Sequence, residues 1–288
     1  MEQFDEQKEQ SPESSSSYLS EKEDGGAKLL LQHRYLSELM GGILPPLLEP
    51  SWGSDVLALG WCVGGLVYEM AWRYPSMHVT GIDRTASVVE QAQTQVKGLG
   101  NATMLVQDIQ HLDDKVFASA FFDLIYLRFL TGEVTLEQFP PLMQSLARIC
   151  RTRGLLVWTE AELPITTSPA CQRLCAMVQQ ALQAGGDAFA PGNSTWVIAH
   201  MGRWLSEAGF RIAQRKTYAI DISTESKGHD AFARQVLISG EQVRAFLLEK
   251  GVTTTAEFAE VFGEMQLDIQ QENFYGMLYL RTLVGVKL

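Results

Sequence analysis

VLALGWCVGG, Val56 to Gly65, decides the reading of this chain, together with HVTGIDR, His78 to Arg84. The apolar run Val56 to Leu59 reads as a short buried strand that enters a glycine-containing turn. A helix is expected from Val63 to Arg73. His78 to Ile82 reads as a second strand, and it ends on a carboxylate, Asp83. Strand, glycine turn, helix and strand ending in an acid make up the nucleotide-binding half of a doubly wound α/β fold. The glycines allow a ligand to approach the backbone. The acid can accept two hydrogen bonds from a ribose diol.

Spacing narrows the ligand. A dinucleotide fingerprint needs G-x-G-x-x-G, with an open turn that seats a pyrophosphate at a helix N-terminus. Here the order is Gly60, Trp61, Cys62, Val63, Gly64, Gly65, and Cys62 stands in place of the middle glycine. The turn resembles the D/E-x-G-x-G-x-G motif of class I S-adenosylmethionine (SAM) methyltransferases. Gly60 and Gly64 match that motif, while Cys62 and Ala58 replace a glycine and the acid. Further segments resemble the family in order. NATMLVQDI (101–109) looks like the third strand with its adenine-side acid, Asp108. FFDLIYLRFL (121–130) looks like the fourth strand, and LARICRTRGLLVWTEAE (146–162) like the helix, turn and fifth strand. WLSEAGF (204–210) is similar to the helix end before the sixth strand.

The resemblance implies a seven-stranded Rossmann-like sheet, its last strand antiparallel, with helices on both faces. It implies SAM as cofactor, seated by Gly60, Trp61, Cys62, Gly64, Asp83, Arg84, Asp108, Ile109, Tyr126 and Arg128. Trp61 must either stack near the ligand or pack under the turn, and packing is the preferred reading.

The 288 residues carry a formal net charge of −11. Residues 1–26 hold eight acids and two lysines, so this tail accounts for −6. It has almost no apolar residues and is read as disordered. The rest, 27–288, shows no basic stripe, which argues against a duplex nucleic-acid substrate. No run approaches the roughly 18 apolar residues that a bilayer span needs. Four cysteines without framework spacing point to a reducing compartment, the cytoplasm. Cys171 and Cys175 share a helical spacing, but no His/Cys pair completes a metal site.

Outside the motifs, Ala27 to Met40 is expected to be a helix, with Gln32, Arg34 and Tyr35 on a face that either meets the ligand mouth or stays exposed. Helices are expected over 86–98 with Thr85 as N-cap, over 136–150, over 168–184 capped by Ser168, and from Asn193 or Ser194 to Ala208. Two more, 229–250 and 255–270, precede the last strand, the second with a Thr254/Glu257 capping box. Helical insertions at about 165–192 and 225–271 are long enough to cover a substrate pocket.

Methyl transfer from a sulfonium needs alignment and dryness, and a general base only where the acceptor must lose a proton. Glu160 and Glu162, just past the fifth strand, and His200, mid-helix, are the candidates, each weighed against a structural role. His229 is a weaker one. Tyr126, Trp196 and Tyr275 could line an aromatic pocket or sit in the core. The turn after the fourth strand reads YLRFL rather than N-P-P-Y, and no metal-binding acid cluster or double-glutamate loop follows it. A small-molecule acceptor remains. A binding module or non-methylating enzyme on the same fold, motivated by Ala58 and Cys62, stays open, as does a dinucleotide oxidoreductase.

Overall fold

The computed structural model describes residues 33–35, 37–44, 54–61, 63–113, 115–186, 195 and 197–288. The expectations for the tail, Gln32, Cys62, the cap at Asn193 or Ser194, and Trp196 lie outside these residues. A parallel sheet forms from β1 (Asp55–Gly60), β2 (His78–Asp83), β3 (Ala102–Val106), β4 (Phe122–Arg128) and β5 (Cys150–Ala161). Its order is β3-β2-β1-β4-β5. The long last strand, β8 (Gly276–Lys287), runs antiparallel to β5 and is flanked by β7 (Phe210–Asp221). The expected seven strands are joined by a two-residue eighth, β6 (Ile165–Thr166), which pairs with the start of β8.

Alternation along β1 shows how the sequence places helices on both faces. Val56 and Ala58 face a core that contains Val63, Leu66, Val67 and Met70 of α1 (Val63–Arg73) and Val89 and Ala92 of α2 (Ala86–Val96). Leu57 and Leu59 face the opposite core, built on α3 (Phe139–Ile149) and α5 (Val197–Glu207). There Phe139, Trp158 and Trp204 form a stack with ring centroids 4.6–6.0 Å apart. Ala58, which departs from the family acid, is fully buried, so at this position a small apolar residue suits the packing.

A third apolar cluster caps one end of the sheet. It joins α4 (Pro169–Gly185), α6 (His229–Glu249) and α7 (Thr255–Ile269) to Ile220, Phe274 and Leu280. Two expected caps form. Ser168 Oγ accepts from Cys171 N–H at 2.9 Å, with Pro169 in the first turn, and Thr254 Oγ1 accepts from Glu257 N–H at 3.2 Å. Thr85 sits at the N-cap of α2 but its side chain makes no capping bond; instead its N–H donates to Asp83. The expected tight turn at 151–154 lies within β5 as an irregularity: Cys150 pairs with Phe122 and Leu155 with Leu124, the register shifts between them, and Arg153 takes a left-handed φ of 66°.

Candidate active site

The parallel strands all end at one edge, and the order reverses between β1 and β4. Crevices at such switch points are where open α/β sheets bind ligands. Gly60 closes β1 opposite Arg128, the last residue of β4. Its φ of 102° and a close approach to the Arg128 carbonyl oxygen exclude any side chain there. The chain turns immediately, and Trp61 N–H donates to that same carbonyl at 2.9 Å. Gly64 packs closely against α2, where a Cβ would lie 2.8 Å from Ala92 Cβ.

Asp83 ends β2 half-buried. One carboxylate oxygen accepts from Thr85 N–H at 2.7 Å, and the other accepts no hydrogen bond from a described residue. Arg84 is exposed beside it. Asp108, in the loop after β3, holds a local turn by accepting from Gln110 N–H at 2.9 Å and pairing with His111 Nδ1 at 3.1 Å. Ile109 packs partly buried against the α3/α5 core.

Two expected site residues lie inside the protein. Tyr126 is wholly buried and donates to the Ile43 carbonyl at 2.7 Å, so it braces the N-terminal segment and is not part of the aromatic lining. Arg128 is 1% exposed, and its Nη1 donates to His33 Nδ1 at 2.9 Å and to Ser37 Oγ at 3.3 Å. His33 in turn meets Glu69 through Nε2 at 2.5 Å, and Glu69 pairs with Arg73 at 2.7 Å. Since Arg128 can only donate, His33 Nδ1 is an acceptor and Nε2–H the donor to Glu69. Burial pushes the imidazole below its ordinary pKa, consistent with this neutral tautomer. Burial pushes Glu69 up, but His33 and Arg73 together bring it below its ordinary value. This chain of groups fixes the helical residues 33–35 and 37–40 to α1 and β4. The face named from the sequence does otherwise: Arg34 is exposed and pairs with Glu38, and Tyr35 accepts from Arg234.

Beside the switch point lies a cavity of about 490 Å³. Its floor is Trp61, Phe129 and Glu160, and its roof is α4, α6 and α7. Trp61 therefore lines the cavity rather than packing under the turn, and its ring meets Phe129 edge-on at 6.1 Å. Phe129 holds a left-handed φ of 54°, a conformation uncommon for a bulky side chain and frequent at functional sites.

Glu160 is 1% exposed. Its Oε1 accepts from Leu130 N–H and Trp158 Nε1–H, each at 2.8 Å, and its Oε2 from Thr131 Oγ–H at 3.0 Å. Burial raises its pKa to about 7 despite these donors. Glu162 accepts from Thr195 N–H at 2.9 Å. Glu133 also lines the cavity, and burial and then the Asp83 carboxylate raise its pKa from its ordinary value.

His200 is half-buried on α5 beside Trp204 and does not line the cavity. His229 is tied to the Ile222 carbonyl at 3.1 Å, and Tyr275 is 59% exposed. Cys171 and Cys175 are free and buried on α4, and both touch the cavity. Among the described residues no group of three His, Cys, Asp or Glu could hold a metal ion, and no helix is long and apolar enough to cross a membrane. Sequence reasoning missed His33, Glu69, Phe129 and Glu133.

Residues 56–154 match the family profile described as a methyltransferase domain. No curated protein matches the sequence. Among solved structures, a candidate methyltransferase of Bacillus halodurans C-125 superposes at a TM-score of 0.53 with 14% identity, over 88% of this chain and 98% of its own. The [4+2]-cyclase SpnF superposes at 0.51 with 16% identity, over 91% and 94%. Phosphoethanolamine N-methyltransferase 2 of Haemonchus contortus, in complex with phosphomonomethylethanolamine and S-adenosylhomocysteine, superposes at 0.50 with 14% identity, over 89% and 52%. At these identities the likeness is one of fold. Sheet order and glycine turn are those of the class I methyltransferase fold, and the methyltransferase-domain match over residues 56–154 supports SAM as the cofactor.

Proposed function

We propose that this enzyme methylates a small, largely apolar molecule held in the cavity under α4, α6 and α7. The observation that carries the reading is the cavity itself. Its volume lies in the range of small-molecule sites, and it opens on Trp61 and Phe129 at the switch point. The helical segments at about 165–192 and 225–271 act as its cover.

The residues at the crevice fit the cofactor. Gly60 gives a backbone turn that a side chain would block, and Asp83 keeps one carboxylate oxygen without a described partner for a ribose hydroxyl. In this reading Gly60, Trp61, Cys62 and Gly64 form the turn around the cofactor. Asp83 and Arg84 flank the ribose, Asp108 and Ile109 flank the adenine, and Arg128 stands behind the methionine end. Bound SAM supplies an activated methyl group on its sulfonium. The chain's part is to align acceptor and methyl and to keep water out, which the apolar roof does. Its three described cysteines are all free, which accords with the reducing cytoplasm as its compartment.

Asp83→Ala tests the seat. Loss of a hydrogen bond to a charged group should weaken SAM binding by roughly 1.5–3 kcal/mol, about ten- to a hundredfold by calorimetry. Unchanged affinity in a folded variant would reject the ribose role.

A further inference from the structure

Charge in the cavity is one-sided. Three carboxylates line it, Glu133, Glu160 and Glu162, and among the described lining residues there is no lysine, arginine or histidine. Arg128 sets its guanidinium 5.2 Å from the Phe129 ring centroid but does not line the cavity. The rest of the wall is mostly aliphatic and aromatic, including Trp61, Phe129 and Phe246, with uncharged polar side chains at Thr131, Thr195, Gln235, Ser239 and Gln242.

An anionic acceptor would meet glutamate carboxyls and, among the described lining residues, no counter-charge, a costly transfer. An ammonium would meet charge-assisted acceptors and the faces of aromatic rings. A neutral hydroxyl can donate to the same carboxylates but brings no charge to them or to the ring faces. Resting on the methyltransferase reading above, we propose that the acceptor is a hydrophobic amine, held as its ammonium by Glu160 and Glu162 with its apolar body under α4, α6 and α7.

The chemistry balances. The ammonium gives one proton to Glu160, whose carboxylate becomes the acid; its raised pKa near 7 suits that exchange. The freed nitrogen lone pair then forms the N–C bond as the C–S bond of SAM breaks. The C–S electron pair stays on sulfur, and the product leaves as an N-methyl ammonium and S-adenosylhomocysteine.

Three probes with one hydrocarbon body separate the alternatives: phenylbutylamine, phenylbutanol and phenylbutanoate. Each is titrated by calorimetry into the full chain with S-adenosylhomocysteine present. The amine should bind at least about tenfold tighter than the alcohol, and the carboxylate weakest of all. Glu162→Gln should remove about tenfold of the amine's advantage and leave the alcohol unchanged. Glu160→Gln, whose amide can keep the existing bonds to Leu130, Trp158 and Thr131, gives a second variant with the same expectation. Alcohol or carboxylate binding as tightly as the amine would overturn the proposal, and so would no binding of any probe. Titration of S-adenosylhomocysteine alone keeps that failure distinct from failure of the methyltransferase reading.

Discussion

Glu160 shows how one side chain can serve both fold and site. Its carboxyl is buried among donors from Leu130, Trp158 and Thr131, and burial still lifts its pKa from 4.5 to about 7. Between those values the folded protein keeps a proton that the unfolded chain has released. The contribution to stability is therefore largest below about pH 4.5 and declines as pH rises to about 7. Glutamine cannot titrate. Its carbonyl can accept from Leu130 and Trp158 while its amide donates to Thr131 Oγ, so the variant should fold. Wild type minus Glu160→Gln stability should fall by roughly 2–3 kcal/mol between pH 4.5 and pH 7.5. His33 acts with the opposite sign, because its lowered pKa makes the folded state resist protonation as pH drops below 6.5. The difference curve cancels that contribution. Urea midpoints across the range measure it, and a flat difference would show that Glu160 stays ionised.

At the scale of elements, the N-terminal helical residues are held by side chains rather than by a broad apolar face. His33 joins Glu69 of α1 to Arg128 of β4. His33→Ala would leave both charged groups short of a buried partner and should cost about 2–4 kcal/mol in urea unfolding. Arg34→Ala, which loses only an exposed pair with Glu38, should leave the urea midpoint nearly unchanged. Equal losses would mean that the buried relay does not fix this segment. This network also marks where the sequence stops being readable. α1 was legible from Val63 to Arg73 because periodicity and the glycine turn are local signals, and the caps at Ser168 and Thr254 are read over three residues. His33 finds its partners 36 and 95 positions away, a pairing that only the assembled sheet creates. Likewise, the turn read at Gly154 survives as a register shift in the β4–β5 ladder, since Cys150 and Leu155 resume pairing on either side of it. The edge acids were legible as strand ends. That Glu160 is buried and His200 faces away from the cavity required the roof helices to be in place.

Across the whole molecule, the two edges of the sheet divide the work. At the starting edge Arg151 binds Asp123 at 2.6 Å and Asp55 at 3.3 Å, a cluster that ties β1, β4 and β5 together. At the opposite edge Asp83 keeps one carboxylate oxygen that accepts no hydrogen bond from a described residue, so a ligand there adds contacts that the unliganded fold does not make among its described residues. Binding to the folded state alone must then raise stability by mass action. With SAM at a hundredfold excess over its dissociation constant, the gain is about 2.7 kcal/mol, or about 5–10 °C in melting temperature for a chain of this size. NADH at the same concentration should leave the melting temperature unchanged, since the turn carries Cys62 where a pyrophosphate needs glycine. The Asp83→Ala variant should require about ten to a hundred times more SAM for the same shift. An NADH shift equal to that of SAM would mean that the crevice reads adenosine alone, and the methyl-donor specificity assigned to the glycine turn would fall with it.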